Sequence, residues 1–188
     1  MDSKKLRWTL QNTGFSEPAI SAAWPSWWSD DAEASSSAQV ELRFSLARKL
    51  GLDARSLLDD EPRFVWRDAK FKHLSTDSEV ERNALSSYGT SIGRTLIAAT
   101  ESVHSIQGAG AQELRAGILA KQRFIRLIDL LGLCWAVGIP VVHLRVFPLT
   151  TKRMCAMAIR TDARSALLLG KPLTIVTPSS PPRQSSSR

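Results

Sequence analysis

Leu133-Cys-Trp-Ala-Val-Gly-Ile-Pro-Val-Val-His-Leu144 is the stretch in which the chain changes its period. From Ile125 to Val137 apolar residues occupy nearly every side, which predicts a helix buried all round. Gly138 and Pro140 then stop it: glycine supplies a left-handed turn past a helix end, and proline cannot continue the hydrogen-bond ladder. Three strand-like runs follow, Val141 to Phe147, Met154 to Arg160 and Ala166 to Leu169. Short polar linkers join them, Lys152-Arg153 in one and Asp162 to Arg164 in the other, so the pattern predicts a small antiparallel meander. Upstream the periods are helical. The chain therefore reads as α+β, a mostly helical N-terminal part followed by a small antiparallel sheet.

Working towards the N-terminus, a helix of about residues 111–121 precedes the buried one, behind a loop from Ser102 to Gly110. Thr76 and Glu79 form a capping box, after which Val80, Ala84, Tyr88, Ile92 and Leu96 recur at every fourth residue. That predicts an amphipathic helix over about 77–99. Gly89 and Gly93 lie one turn apart on it, which predicts close approach of another element. Arg63 to Arg67 alternates and reads as a short strand or extended linker. Between Ala38 and Leu50 strand and helix periods compete; Ser37 as N-cap and Gly51 just past the end favour the helix. A second short helix, Ala54 to Leu58, follows behind Asp53. Residues 1–37 read as irregular, broken by Pro18, Pro25 and Ser35-Ser36-Ser37. Within them Trp24, Trp27 and Trp28 fall at i, i+3 and i+4, a spacing that puts all three on one face of a helical turn and marks them first as core. Pro172 to Arg188, with four prolines and five serines, reads as a disordered tail.

Composition narrows the function. A chain of 188 residues, 43% hydrophobic and 23% charged, has length enough for a core without disulfide staples. No apolar run approaches the roughly 20 residues that span a bilayer, and Lys4, Lys5 and Arg7 lead into no secretory apolar stretch. With Cys134 and Cys155 both in apolar surroundings, a reducing, cytoplasmic location is expected. The net charge of +7 is uneven. Residues 1–101 hold 13 Lys and Arg against 15 Asp and Glu, a balance of −2, whereas residues 102–188 hold 12 against 3, a balance of +9. A basic half points to a polyanion, with Arg145, Lys152, Arg153 and Arg160 as the candidate nucleic-acid-binding residues.

Catalytic and metal-binding residues are not legible. His73, His104 and His143 are more than 30 residues apart, and no His-Glu-x-x-His, Cys-x-x-Cys, phosphate-cradling glycine loop or Gly-x-Ser-x-Gly occurs. One nucleophile pair can be drawn, His143 with Cys155 on neighbouring meander strands and Lys152 and Arg153 alongside. Parity opposes it, because Cys155 shares the face of Met157 and Ile159. The segment from Leu46 to Leu58 has the form of a helix-turn-helix, but its second helix runs straight into Asp59-Asp60-Glu61, which phosphates repel.

Several of these stretches together resemble one family. They are Trp27-Trp28, Glu41 to Leu52, Ser56-Leu57-Leu58, Arg63 to Leu74, Leu133 to Leu144, Lys152 to Ile159 and Ala166 to Lys171. The set is similar to the front portion of bacterial ImmA/IrrE-type metallopeptidase-like proteins, which are associated with phage-type regulators, and the resemblance covers about residues 24–171. In such proteins the sheet leads into a helix bearing His-Glu-x-x-His, whose histidines bind zinc and whose glutamate activates water. Here the resemblance stops at Lys171, no position matches that motif, and no catalytic residue carries over. What the resemblance implies is a catalytically inactive, truncated peptidase-like protein with no cofactor, zinc belonging only to complete members, and a regulatory or binding role. Two alternatives stand beside it: a DNA-associated regulator using the basic C-terminal half, and one part of a two-chain zinc metallopeptidase. The expected partners are a regulator protein or DNA, with self-association through exposed apolar sheet and helix surface. The corresponding divisions are an irregular segment (1–37), helix-turn-helix-like helices and linker (38–74), a partial peptidase-like domain (75–171) and the tail (172–188).

Overall fold

The structure is a computed structural model that describes residues 2–66, 69–72, 74, 76, 78–101, 109–150, 154–161 and 164–170. It is α+β, with helices before and around one four-stranded sheet.

Residues 2–37 are largely helical, which corrects the irregular reading. Helices α1 (Ser3–Asn12), α2 (Glu17–Ala23) and α3 (Asp30–Glu33) lie there, joined by short turns. Each begins on a polar cap: the side chains of Asp2, Ser16 and Ser29 accept from backbone N–H groups in the first turn. Pro18 lies within the first turn of α2, where its missing N–H costs nothing, so it starts a helix instead of breaking one. Pro25 does break the chain. It holds Trp24 extended (φ −62°, ψ 133°), so the three tryptophans do not share a helical turn. They cluster nevertheless: Trp28 stands edge-on to Trp24 at 6.4 Å and tilted against Trp27 at 5.8 Å. Trp24 and Trp28 pack on the core, whereas Trp27 is exposed.

The competing periods resolve as helix α4 (Ser36–Leu50), which buries Leu42, Leu46, Ala47 and Leu50. Its cap is Ser35, two residues before the expected Ser37. Gly51 ends it in the left-handed region (φ 75°), and α5 (Ala54–Leu58) starts on the Asp53 carboxylate as expected. Residues 63–66 then return extended beside the α4 end: Phe64 bridges Leu52, and the Val65 N–H donates to the Gly51 carbonyl at 3.1 Å.

Strand β1 (Lys70–Lys72) precedes α6 (Glu79–Ala99), which is capped by Ser78; Thr76 instead donates its hydroxyl to the Glu81 carboxylate. Helices α7 (Ala111–Leu119) and α8 (Leu127–Ala136) follow, then β2 (Val141–His143), β3 (Ala156–Arg160) and β4 (Ser165–Leu169). Strands β2 and β3 are shorter than their apolar runs, β4 starts one residue earlier than its run, and the three are not a meander. The sheet order is β1-β3-β4-β2; β3–β4 and β1–β3 are antiparallel, but β2 lies beside β4 and parallel to it. Chain neighbours pair by default, but a connection with room to cross over frees β2 to take the far edge.

Register sets the faces. Phe71, Met157, Leu168 and Val142 form one row, facing α6 together with Ile159 and Ala166. The glycine expectation holds: a Cβ on Gly89 would meet the Met157 sulfur, and one on Gly93 would meet Ile159 at 3.0 Å. One hydrophobic cluster runs from Leu6 and Leu10 through Leu46, Leu57 and Leu85 to Met157 and Leu168, so the divisions at 37 and 74 do not separate independent cores.

Helix α8 reverses its expectation. Apart from Asp129 it is apolar, yet none of its residues is buried; Ile128 is 62% exposed, and Leu127, Leu130 and Trp135 are exposed too. It rests against β2 at the sheet edge, with its outer sides left to solvent. Among the described residues no helix is long and apolar enough to cross a membrane. The 171–188 tail, residues 102–108 of the expected loop, and residues 151–153 and 162–163 of the linkers lie outside the described residues.

Candidate functional site

Three chain segments converge on the solvent side of α6. Arg48 and Lys49 occupy the last turn of α4. The Ser91 hydroxyl of α6 donates to the Arg48 carbonyl, one of the acceptors a helix end leaves without an internal partner. Lys49 Nζ donates to the Ala23 carbonyl at 2.9 Å and ties down the end of α2 in the same way. One turn earlier on α6, the Ser87 hydroxyl donates to the Gly51 carbonyl at 2.6 Å and accepts the Trp66 N–H at 3.2 Å. Arg94 then lies over the Trp66 ring at 4.8 Å, within range of a cation–π contact.

Two hollows open on either side of Arg48. One, of about 500 Å³, lies between α2, α4 and α6, with Ala22, Ala23, Tyr88, Ile92 and Leu96 as its apolar wall. The other, of about 490 Å³, lies between α4, α6 and the extended segment, with Val65, Trp66 and Ala98 in its lining. Both include Arg48, Ser91 and Thr95, so they flank the same stretch of α6. Among the described residues the combined lining holds three cations, Arg48, Lys49 and Arg94, and no carboxylate. No motif marks these residues. The one sequence signal was the pair of basic residues at a helix C-terminus, which the helix dipole explains without any ligand.

The residues singled out from the sequence are not brought together. Arg145 is exposed in the turn after β2 and Arg160 is exposed at the last position of β3. Leu144 bonds Leu169, which pairs Ala156, so Arg145 lies at the opposite end of the sheet from Arg160. Lys152 and Arg153 lie outside the described residues. Arg160 instead shares a sheet face with Lys70 and Lys72, since Lys70 pairs Ala158 and Lys72 pairs Ala156 on the side away from α6.

His143 and Cys155 are separated by β4, two strand spacings or roughly 10 Å apart, and cannot act as a pair. Burial pushes the Cys134 thiol up, away from the thiolate that nucleophilic chemistry needs. Among the described residues no three His, Cys, Asp or Glu side chains lie together as a metal site requires. His73 and His104 lie outside them. In the helix-turn-helix-like segment the acidic run is partly neutralised from within: Asp60 lies 3.7 Å from the buried Arg43 and Glu61 lies 3.1 Å from Arg63. The chain matches no protein-family model, no curated protein and no solved structure.

Proposed function

We propose that this chain is a peptidase-like scaffold that acts by binding and not by catalysis, and that α8 is where it associates with a second copy of itself. The observation that carries the reading is the exposure of Leu127, Ile128, Leu130 and Trp135 on a helix whose composition suits a core. Contiguous apolar surface of this kind marks an interaction site. A second copy suits it because α8 opposes no like charge. Its Asp129 is paired with Arg126 at 2.9 Å, so two such helices meet as neutral apolar surfaces. The test is light scattering on size-exclusion fractions over a range of protein concentration, for the wild type and for Ile128→Lys/Trp135→Lys. The wild type shifts from monomer to dimer while the variant stays monomeric with an unchanged circular dichroism spectrum. A wild type that remains monomeric throughout rejects the reading.

The open sheet face favours a second reading, nucleic-acid binding. Lys70, Lys72 and Arg160 project from it in exposed positions. Affinity for a duplex oligonucleotide then falls steeply with salt, and Lys70→Glu/Lys72→Glu/Arg160→Glu flattens that dependence. Binding indifferent to salt, or unchanged in the triple variant, rules it out.

A further inference from the structure

We infer that the two adjacent hollows along α6 form a docking groove for an acidic amphipathic helix of a partner protein. The site is separate from α8 and from the open sheet face, and does not depend on either.

Shape comes first. The groove follows α6 from Tyr88 to Ala98, a length of about 15 Å at 1.5 Å per residue. That accommodates nearly three turns of a second helix. Each hollow has a volume in the range of ligand sites, roughly 300 to 1,000 Å³. The two are open to solvent and lie side by side over residues 91–95 of α6, so they offer a broad, open seat and not an enclosed chamber. Ile92 and Leu96, one turn apart on α6 and only half-buried, form the floor with Ala22 and Ala23 opposite. Apolar side chains at i, i+3/i+4 and i+7 of an incoming helix match that spacing.

Charge selects the sign of the occupant. Arg48 and Arg94 are exposed, and among the described residues neither has a carboxylate partner. Lys49 spends one N–H on the Ala23 carbonyl and keeps its positive charge on the rim. Three cations, with no acid among the described lining residues, would repel a basic helix and leave a neutral one unrewarded. Glutamates flanking the apolar row complete the pairing. The stack of Arg94 on Trp66 presents its guanidinium in a defined orientation, which lowers the ordering cost of a bidentate contact to a carboxylate.

The test uses the full chain and a fluorescein-labelled three-turn synthetic peptide with leucines at 3–4 spacing and glutamates on the flanks. Two control peptides are a scramble of the same composition and a version with lysine in place of glutamate. Binding is read by anisotropy. The acidic amphipathic peptide binds at least about tenfold more tightly than the scramble, and the lysine version does not bind. Arg48→Glu and Arg94→Glu each weaken it about tenfold, and Leu96→Asp weakens it without changing the charge of the two arginines. Thermal unfolding of each variant, whose altered side chains are exposed or half-exposed, checks that the fold is kept. Equal affinity for the scramble would mean that a basic protein is attracting any acidic chain, and would overturn the groove. So would undiminished binding by both arginine variants. Displacement of the peptide by dodecanoate at equal affinity would reassign the groove to small amphiphilic anions and overturn the helix as its occupant.

Discussion

Gly51 shows most directly how one residue holds the candidate groove together. Its φ of 75° lies where a side chain strains the backbone by roughly 1–2 kcal/mol. A Cβ there would also press against the Ser87 carbonyl, which belongs to the α6 backbone and has no flexible end to move aside. Gly51→Ala is therefore expected to lose at least about 2 kcal/mol of unfolding free energy in urea titration. Gly117 supplies the contrast, since a Cβ there meets nothing within 4 Å on an exposed helix. Gly117→Ala should gain about 0.5–1 kcal/mol. Equal effects from the two would show that backbone geometry at Gly51 is not what fixes α4 against α6. Residues like these were the most legible part of the sequence. Gly89 and Gly93 announced a close approach because a glycine pair one turn apart has few other uses on a helix, and Met157 and Ile159 fill the space. Arg48, Lys49 and Arg94 announced nothing, because what sets them apart is where the ends of three elements meet.

At the level of the element, α8 separates what composition dictates from what surroundings decide. An apolar stretch reveals a preference for burial; whether a partner lies in reach depends on the rest of the fold, and here β2 covers one side. The same distinction explains the sheet. Alternation in 141–147, 154–160 and 166–169 located three strands, but strand order depends on how each connection crosses, which leaves no local trace. The first turn of α8 carries its own pH dependence. Hydrogen bonds from the Arg126 side chain and then its backbone N–H hold the Asp129 carboxyl down at about 2, against an ordinary 3.8. A carboxyl lowered by folding adds stability that is fully present above its unfolded value and disappears as pH falls through the folded one. Wild type should thus exceed Asp129→Asn in stability above about pH 4, with the gap closing between 3.8 and about 2. Acid titrations followed by circular dichroism measure that gap. A constant difference down to the lowest pH would mean the carboxylate charge plays no part.

For the whole molecule, charge and apolar surface oppose each other. A net charge of +7 keeps copies apart at long range, whereas the self-association proposed for α8 would draw them together on contact. Since the α8 charges are internally paired, salt screens mainly the repulsion. Dimerisation should therefore strengthen as ionic strength rises from about 0.05 to 0.5 M, spans over which the screening length falls from above to below 10 Å. Sedimentation equilibrium at the two salt levels checks the sign. Weakening with salt would place opposite charges at the interface and remove α8 from it.

Ser16 carries a consequence for how the chain is made. Its hydroxyl donates to the Phe147 carbonyl at 2.8 Å and its N–H to the Pro148 carbonyl at 2.6 Å, joining the start of α2 to residues 131 positions later. On a ribosome adding roughly 5–20 residues per second, that wait is about 7 to 26 seconds. During it Leu6, Leu10, Phe15 and Ile20 have been synthesised but lack part of the surface that will cover them. Helices α1 and α2 are thus made well before the residues that complete their anchoring, and nascent chains stalled before residue 147 are the form most exposed to chaperones and proteases.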